Sequence, residues 1–205
     1  MTSQRPLVHL VEADPALLAD LAYALAAAGT RCHVHTSLPH LLHHLRTEPA
    51  DALLIDRLEI DGEWEAALES LAAVDPSLAV VIFSHQLTVA TAVHALRRGV
   101  FHVLGKTAPI QEVVDAVLAA IQHTRATRER RRVHELARTR LATLSPRERE
   151  VLELVVAGNS TKQIAETLGI RPKTVEIHRT NLVRKARVDS LAELVRLYLT
   201  AAGVS

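Results

Sequence analysis

The stretch KTVEIHRTNLVRK, residues 173–185, places chemistry on one side of a helix. Lys173, Glu176, Ile177, Thr180 and Arg184 fall on a common face, with Arg179 and Lys185 at its flanks. Val175 and Leu182, joined by His178 and Ala186, take the opposite, inward face. A helix lying in a major groove needs short polar or apolar side chains at its centre to meet base edges. It also needs cations at its margins to reach phosphate. This helix has both, so its chemistry is readout of a duplex rather than bond making.

The segments around it explain how such a helix would be held. Ser145 before Pro146 is an N-cap with proline at the first helical position, and Glu148 completes a capping box. Val151, Leu152, Leu154 and Val155 make the apolar stripe of that first helix, which ends at Gly158-Asn159. Thr161–Leu168 follows, burying Ile164, Ala165 and Leu168. Gly169 breaks it, and the next helix opens at Pro172. Helix, tight turn, helix, with small residues where the two cross, is the pattern of a helix-turn-helix.

Residues 144–201 resemble the LuxR-type helix-turn-helix of NarL/FixJ response regulators. The matching residues are Leu144-Ser145, Arg147-Glu148, Glu150-Val151, Gly158, Lys162, Ile164-Ala165, Leu168, Thr174-Val175, His178 and Lys185. The resemblance implies that Glu176, Ile177 and Thr180 approach bases. It places Lys162, Lys173, Thr174, Arg179 and Lys185 near phosphate, and gives the last helix, 190–200, a role in pairing two subunits.

The chain has 205 residues, room for two domains, and 48% of them are hydrophobic. Aromatics are only 2%, so any core must be aliphatic. A single cysteine, Cys32, excludes an internal disulfide and suits a reducing cytoplasm. The opening MTSQRPLVHLV is too short an apolar run for a signal peptide or a membrane span. The net charge of +1 hides an asymmetry: residues 1–121 hold 7 Lys/Arg against 14 Asp/Glu, residues 122–143 hold 7 against 2, and residues 144–205 hold 10 against 7. An acidic half joined through a basic segment to a mildly basic half points to nucleic acid meeting the second half alone.

In the first 121 residues, short β-branched or aliphatic candidate strands at 7–11, 31–35, 52–55, 79–83 and 101–104 alternate with amphipathic candidate helices at 15–28, 38–46, 63–73, 87–98 and 110–123. Five βα units at this spacing imply a parallel sheet covered on both faces, with its site at the C-terminal strand ends. Glu12, Ala13 and Asp14 follow the first strand, Asp56 the third, Ser84 the fourth and Lys106 the fifth. This order resembles a receiver domain across residues 6–123. The resemblance implies that Asp56 is the phosphoacceptor, its carboxylate attacking phosphorus in line. Glu12, Asp14, Ser84 and Lys106 would complete the pocket, Lys106 pairing with the phosphoryl group and Ser84 hydrogen-bonding it on activation. Mg²⁺ is the implied cofactor, held weakly by Glu12 and Asp56.

Several positions depart from the receiver pattern. Ala13 stands where a second acid is normally a direct metal ligand, and Asp14-Pro15 reads as an N-cap followed by proline. Arg57 places a cation beside the acceptor, and residues 57–62 lack the usual Met-Pro. Val103 occupies the place of an aromatic switch residue, His85 a place usually small, and Thr107 replaces the proline commonly preceded by a cis peptide. Two readings therefore stand for this domain: a receiver phosphorylated on Asp56, or a pseudo-receiver kept for dimerisation or partner binding.

His33, His35, His40, His43 and His44 crowd within a dozen residues, and His40 and His44 share a helix face at a spacing that can hold a metal. Leu38, Leu41, Leu42 and Leu45 take the inward face, which leaves those helical histidines on the solvated one. Residues 122–143 contain no glycine or proline and read as helix continuing from the receiver's last helix. Arg125, Arg128, Arg130, Arg131 and Arg132 make that segment a solvated connector or a phosphate-tracking one, and Val133, Leu136 and Leu141 offer a weak packing seam.

The sequence thus specifies an α/β doubly wound (βα)5 flavodoxin-like receiver domain at 1–123 and a basic helical linker at 124–143. An all-α four-helix LuxR-type helix-turn-helix domain follows at 144–205. The expected function is that of a DNA-binding transcription regulator, with no activity on a diffusible substrate. Its expected partners are double-stranded DNA, a second copy of the chain, and a sensor histidine kinase if the receiver is active; no membrane is among them. The competing classes are a non-DNA adaptor and a metal- or pH-responsive sensor built on the histidines.

Overall fold

A computed structural model describes residues 5–56, 64–85 and 87–203. Its strands are β1 Leu7–Val11, β2 Arg31–His35, β3 Ala52–Ile55, β4 Val80–Ser84 and β5 His102–Gly105. All pair in parallel, in the order β2-β1-β3-β4-β5. Because β1 lies between β2 and β3, the winding reverses there, and the crevice opens beside Glu12 and Asp56. Compared with their apolar runs, β4 and β5 lie one residue later along the chain. Ser84 and Gly105 therefore pair in register at the sheet edge.

Alternation along the strands supplies two aliphatic layers. Val8, Leu10, Leu54, Val81 and Phe83 pack with Leu21 and Leu25 of α1 (Pro15–Ala27) and Val113, Val117 and Ile121 of α5 (Ile110–Ala142). On the other face, Val11, Leu53, Ile55, Val80 and Ile82 pack with α2 (Leu38–Thr47), α3 (Trp64–Val74) and α4 (Val89–Arg97). Helix α4 starts two residues later than its apolar pattern suggests, because Thr88 forms a capping box with Thr91. The expected first residue of α3, Glu63, and the segment 57–62 lie outside the described residues.

The chain forms two compact units that divide between Arg128 and Glu129, inside the expected 124–143 linker. Arg125 and Arg128 belong to the first unit, which they staple, Arg125 keeping 47% of its side chain exposed. Arg125 grips Asp51 with two hydrogen bonds, of 2.9 and 3.1 Å, and Arg128 pairs with Asp75 and donates to the Ala50 carbonyl. Arg130, Arg131 and Arg132 are exposed, Arg132 pairing with Glu129.

In the second unit, α6 (Pro146–Val156), α7 (Thr161–Leu168), α8 (Pro172–Ala186) and α9 (Leu191–Ala202) enclose Val151, Leu152, Ile164, Val175, Leu182 and Leu194. Ser145, Ser160 and Ser190 cap α6, α7 and α9 with their side chains, and Glu148 and Gln163 close two capping boxes. Gly169, at φ 63°, ends α7 in the left-handed region, which the tight turn into α8 requires. Leu141 of α5 packs against this core, whereas Val133 and Leu136 stay exposed.

Candidate functional site

Helix α8 presents the expected face. Lys173, Glu176, Ile177, Thr180 and Arg184 are exposed, as is Lys162 on α7, and Ile177 keeps 54% of its surface open. Val175, Leu182 and Ala186 are buried beneath them. Lys173 pairs with Glu176 at 2.9 Å, which neutralises the one carboxylate on this face. Thr180 donates to the Glu176 carbonyl at 3.0 Å, and Arg184 donates to Asn181 at 3.0 Å.

Three residues with predicted phosphate contacts are also engaged within the unit, two of them half-buried. Thr174 and Arg179 are half-buried, and Arg179 donates to the Thr161 hydroxyl at 2.8 Å, tying α8 to the start of α7. Lys185 donates to Glu148 at 2.8 Å. Glu148 is itself buried, accepts from the Ser145 backbone N–H, and lies 37 residues from Lys185 in sequence. Burial opposes its charge, but Lys185 and the Ser145 cap outweigh that cost and hold the carboxyl down to about 2. Lys185 therefore anchors α8 to the start of α6. The capping box was legible in sequence; the ion pair across the core was not.

The first unit gathers Glu12, Asp56, Ser84 and Lys106 at the strand ends. The Lys106 ammonium bridges two carboxylates, contacting Glu12 at 2.7 Å and Asp56 more closely still. All three side chains are nearly inaccessible, at 4–5% exposure. Burial works against the ammonium, yet hydrogen bonds to Asp56 and Glu12 keep Lys106 above the usual lysine range. Ser84 is fully buried, and its Oγ meets no hydrogen-bond partner among the described residues.

Asp14 does not join this pocket. It is exposed, and its carboxylate accepts from the Ala16 and Leu17 backbone N–H groups at 2.9 and 3.3 Å as the N-cap of α1. Its own N–H donates to Glu12 at 2.9 Å, so Asp14 orients the pocket acid through the backbone alone. Arg57 lies outside the described residues, and His85 is exposed. Val103 leaves room where a larger side chain would stand. With Ile82, Leu87, Thr91, His94 and Ala95 it lines an apolar cavity of about 200 Å³.

As a magnesium site the donor set is reduced but usable. Glu12 and Asp56 are close enough to share one cation, and Mg²⁺ commonly takes one or two carboxylates and completes its shell with water. Any such ion competes with Lys106 for both acids, and Ala13 supplies nothing. Among the described residues, no three His, Cys, Asp or Glu side chains are placed to hold a metal together. No helix among them is long and apolar enough to cross a membrane.

A five-stranded parallel α/β unit with an acid–lysine pocket, followed by a helix-turn-helix unit, defines a response regulator with a DNA-binding output. The family described as "Bacterial regulatory proteins, luxR family" matches residues 142–198. Transcriptional regulatory protein FixJ of Azorhizobium caulinodans is 32% identical over 196 residues, covering 95% of this chain and 92% of that protein. FixJ of Rhizobium meliloti is 31% identical, covering 94% of each. The solved structure of response regulator StyR superposes with a TM-score of 0.79 at 29% identity, over 95% of this chain and 98% of that one. The chain belongs to the NarL/FixJ-type response regulators, transcription regulators that bind DNA through a LuxR-type domain.

Proposed function

We propose that Asp56 accepts a phosphoryl group and that this controls pairing of the chain into a homodimer on two half-sites of double-stranded DNA. The observation that carries the proposal is Lys106 held between Glu12 and Asp56, with the Ser84 hydroxyl buried at the neighbouring strand end. An Asp56 carboxylate oxygen attacks phosphorus as the bond to the donor's leaving group breaks. Lys106 then offers its ammonium, and Ser84 its hydroxyl, to the phosphoryl oxygens. Glu12 and Asp56 would hold Mg²⁺, which when bound supplies further neutralisation of those oxygens. The donor is a sensor histidine kinase, acting in the cytoplasm. Pairing is needed because a single small helix-turn-helix buries too little surface for tight, specific binding.

A second reading, a pseudo-receiver controlled by a partner, a ligand or constitutive dimerisation, is favoured by Ala13 and by a lysine that already neutralises the acids. Intact mass after incubation with Mg²⁺ and a small phosphodonor separates the two. One phosphoryl adduct is expected on the wild-type chain and none on Asp56→Asn. An unmodified wild-type chain that still binds DNA would establish the pseudo-receiver instead. Restoring the missing acid with Ala13→Asp is expected to tighten Mg²⁺ binding by roughly tenfold, because a third carboxylate joins the set. Calorimetric titration reads this directly, and unchanged affinity would mean that position 13 does not face Asp56.

A further inference from the structure

Six histidines of the first unit gather where β1, β2 and α2 meet. His9 and His35 are 0% and 1% exposed, stacked at 4.7 Å between ring centroids, and joined by a 2.7 Å hydrogen bond between His9 Nδ1 and His35 Nε2. His40 and His44 set their rings edge-on to His35 at 5.4 and 5.1 Å, and His33 lies 5.6 Å from His9. His43 stands behind His44 at 6.0 Å. Sequence spacing put His40 and His44 on the solvated face; His40 is exposed, but His44 is half-buried and His35 is in the core. His9, far away in sequence, completes the group.

The hydrogen bond between the buried rings holds one proton, because one nitrogen must donate and the other accept. The remaining nitrogens, His9 Nε2 and His35 Nδ1, are buried without a hydrogen-bond partner among the described residues. An added proton therefore brings a charge and an N–H to a place with no acceptor for it. The groups acting on the pair are other imidazoles: His33, His40 and His44. Glu48, at the end of α2, instead approaches His33 at 3.5 Å and pairs with Arg31 at 3.3 Å. On α2, Arg46 is exposed; on α3, which packs against α2, Glu69 is exposed. No carboxylate among these relieves the buried rings.

We infer that the His9–His35 pair is a proton-sensitive latch that holds the β2–α2 edge closed while both rings are neutral. Burial, and then the neighbouring imidazoles, hold His9 and His35 down to about 4, whereas an open edge returns them to the ordinary histidine value of about 6.5. The open form takes up protons first. Closure is therefore fully favoured above the ordinary value and is lost progressively as pH falls toward the folded one. Among the described residues strand β2 pairs only with β1, so this edge can open without breaking the other ladders.

Hydrogen exchange by mass spectrometry on the full chain tests the latch. After correction for intrinsic rates, residues 31–47 are expected to open about tenfold more at about pH 5.5 than at about pH 7.5 for each ring released, or roughly hundredfold for both. Residues 80–84 and 102–105 are the internal control and are expected to change far less. An equal change in both regions, or none in 31–47, would overturn the inference. The double variant His9→Leu/His35→Leu is expected to lose the difference between the two pH values. Ring proton resonances of the wild-type chain serve if that variant fails to fold: two histidines staying neutral below about pH 5 support the latch, and both titrating near 6.5 overturn it. Added Zn²⁺ that raises protection of 31–47 at about pH 7.5 would also overturn it, reassigning the rings as metal ligands.

Discussion

Thr180→Asp is expected to reduce affinity for a duplex selected by the wild-type chain at least about hundredfold, while leaving the helical unit folded. The fold survives because Thr180 is exposed, its one hydrogen bond runs to a carbonyl of its own helix, and Thr and Asp have similar helix propensity. Binding fails because a contact to a base edge is lost and an anion enters the field of the phosphates. Thr180→Ala, which removes the contact without adding charge, is expected to fall between the two. Fluorescence anisotropy with a labelled duplex at fixed salt measures all three, since affinity for DNA has meaning only at a stated ionic strength. Wild-type affinity in Thr180→Asp would show that the face bearing Ile177 and Thr180 is not the one that reads bases.

The second large effect concerns stability. Glu148→Gln keeps an acceptor for the Ser145 cap but removes the charge that holds Lys185, and is expected to destabilise the second unit by about 2 kcal/mol. That figure is below the full pKa displacement because the Lys185 side chain is 38% exposed and screened by solvent. The direction with pH follows from a carboxyl held down to about 2 in the folded unit. Its stabilisation is fully present above the ordinary glutamate value of about 4.5 and is lost as pH falls through the folded value. Hydrogen exchange of α8 amides reads both the loss and the vanished acid dependence. The same substitution releases Lys185, so the slope of log affinity against log salt is expected to steepen by up to about one unit. A steeper slope without destabilisation would mean that Glu148 restrains the lysine but does not hold the fold.

What could be read from sequence was what repeats locally. Largely aliphatic runs placed β1 and β3 at their observed ends, because both strands are covered on both faces; β2, RCHVH, is polar and partly exposed, and its ends followed from the spacing of the βα units instead. Capping boxes set the start of α6, and Gly169 marked the turn into α8. Which residues of α8 are exposed and which are buried followed from helical period alone. Long-range partners had no such signature. Nothing in the spacing says that Arg125 meets Asp51 across 74 residues, that Lys185 meets Glu148, or that His9 donates to or accepts from His35. Asp14 was ambiguous for a related reason. A carboxylate before proline serves a cap or a metal equally well in sequence, and only the geometry shows it spent on α1.

The capped helices of the second unit carry a consequence for the order in which the protein assembles. Each of α6, α7 and α9 begins at a side chain that caps it, so its nucleus is fixed by residues within one turn. The sheet of the first unit has no such shortcut: β1 must wait for β3, a pairing whose partners stand more than forty residues apart, as Val8 and Ala52 do. Chains rich in local contacts fold faster than parallel sheets, which must close long loops first. Starting from the unfolded chain, the second unit is therefore expected to form its helices before the first unit completes its sheet. Refolding from denaturant is therefore expected to show protection of α6, α7 and α9 before that of β1 and β3, which pulsed hydrogen exchange would time.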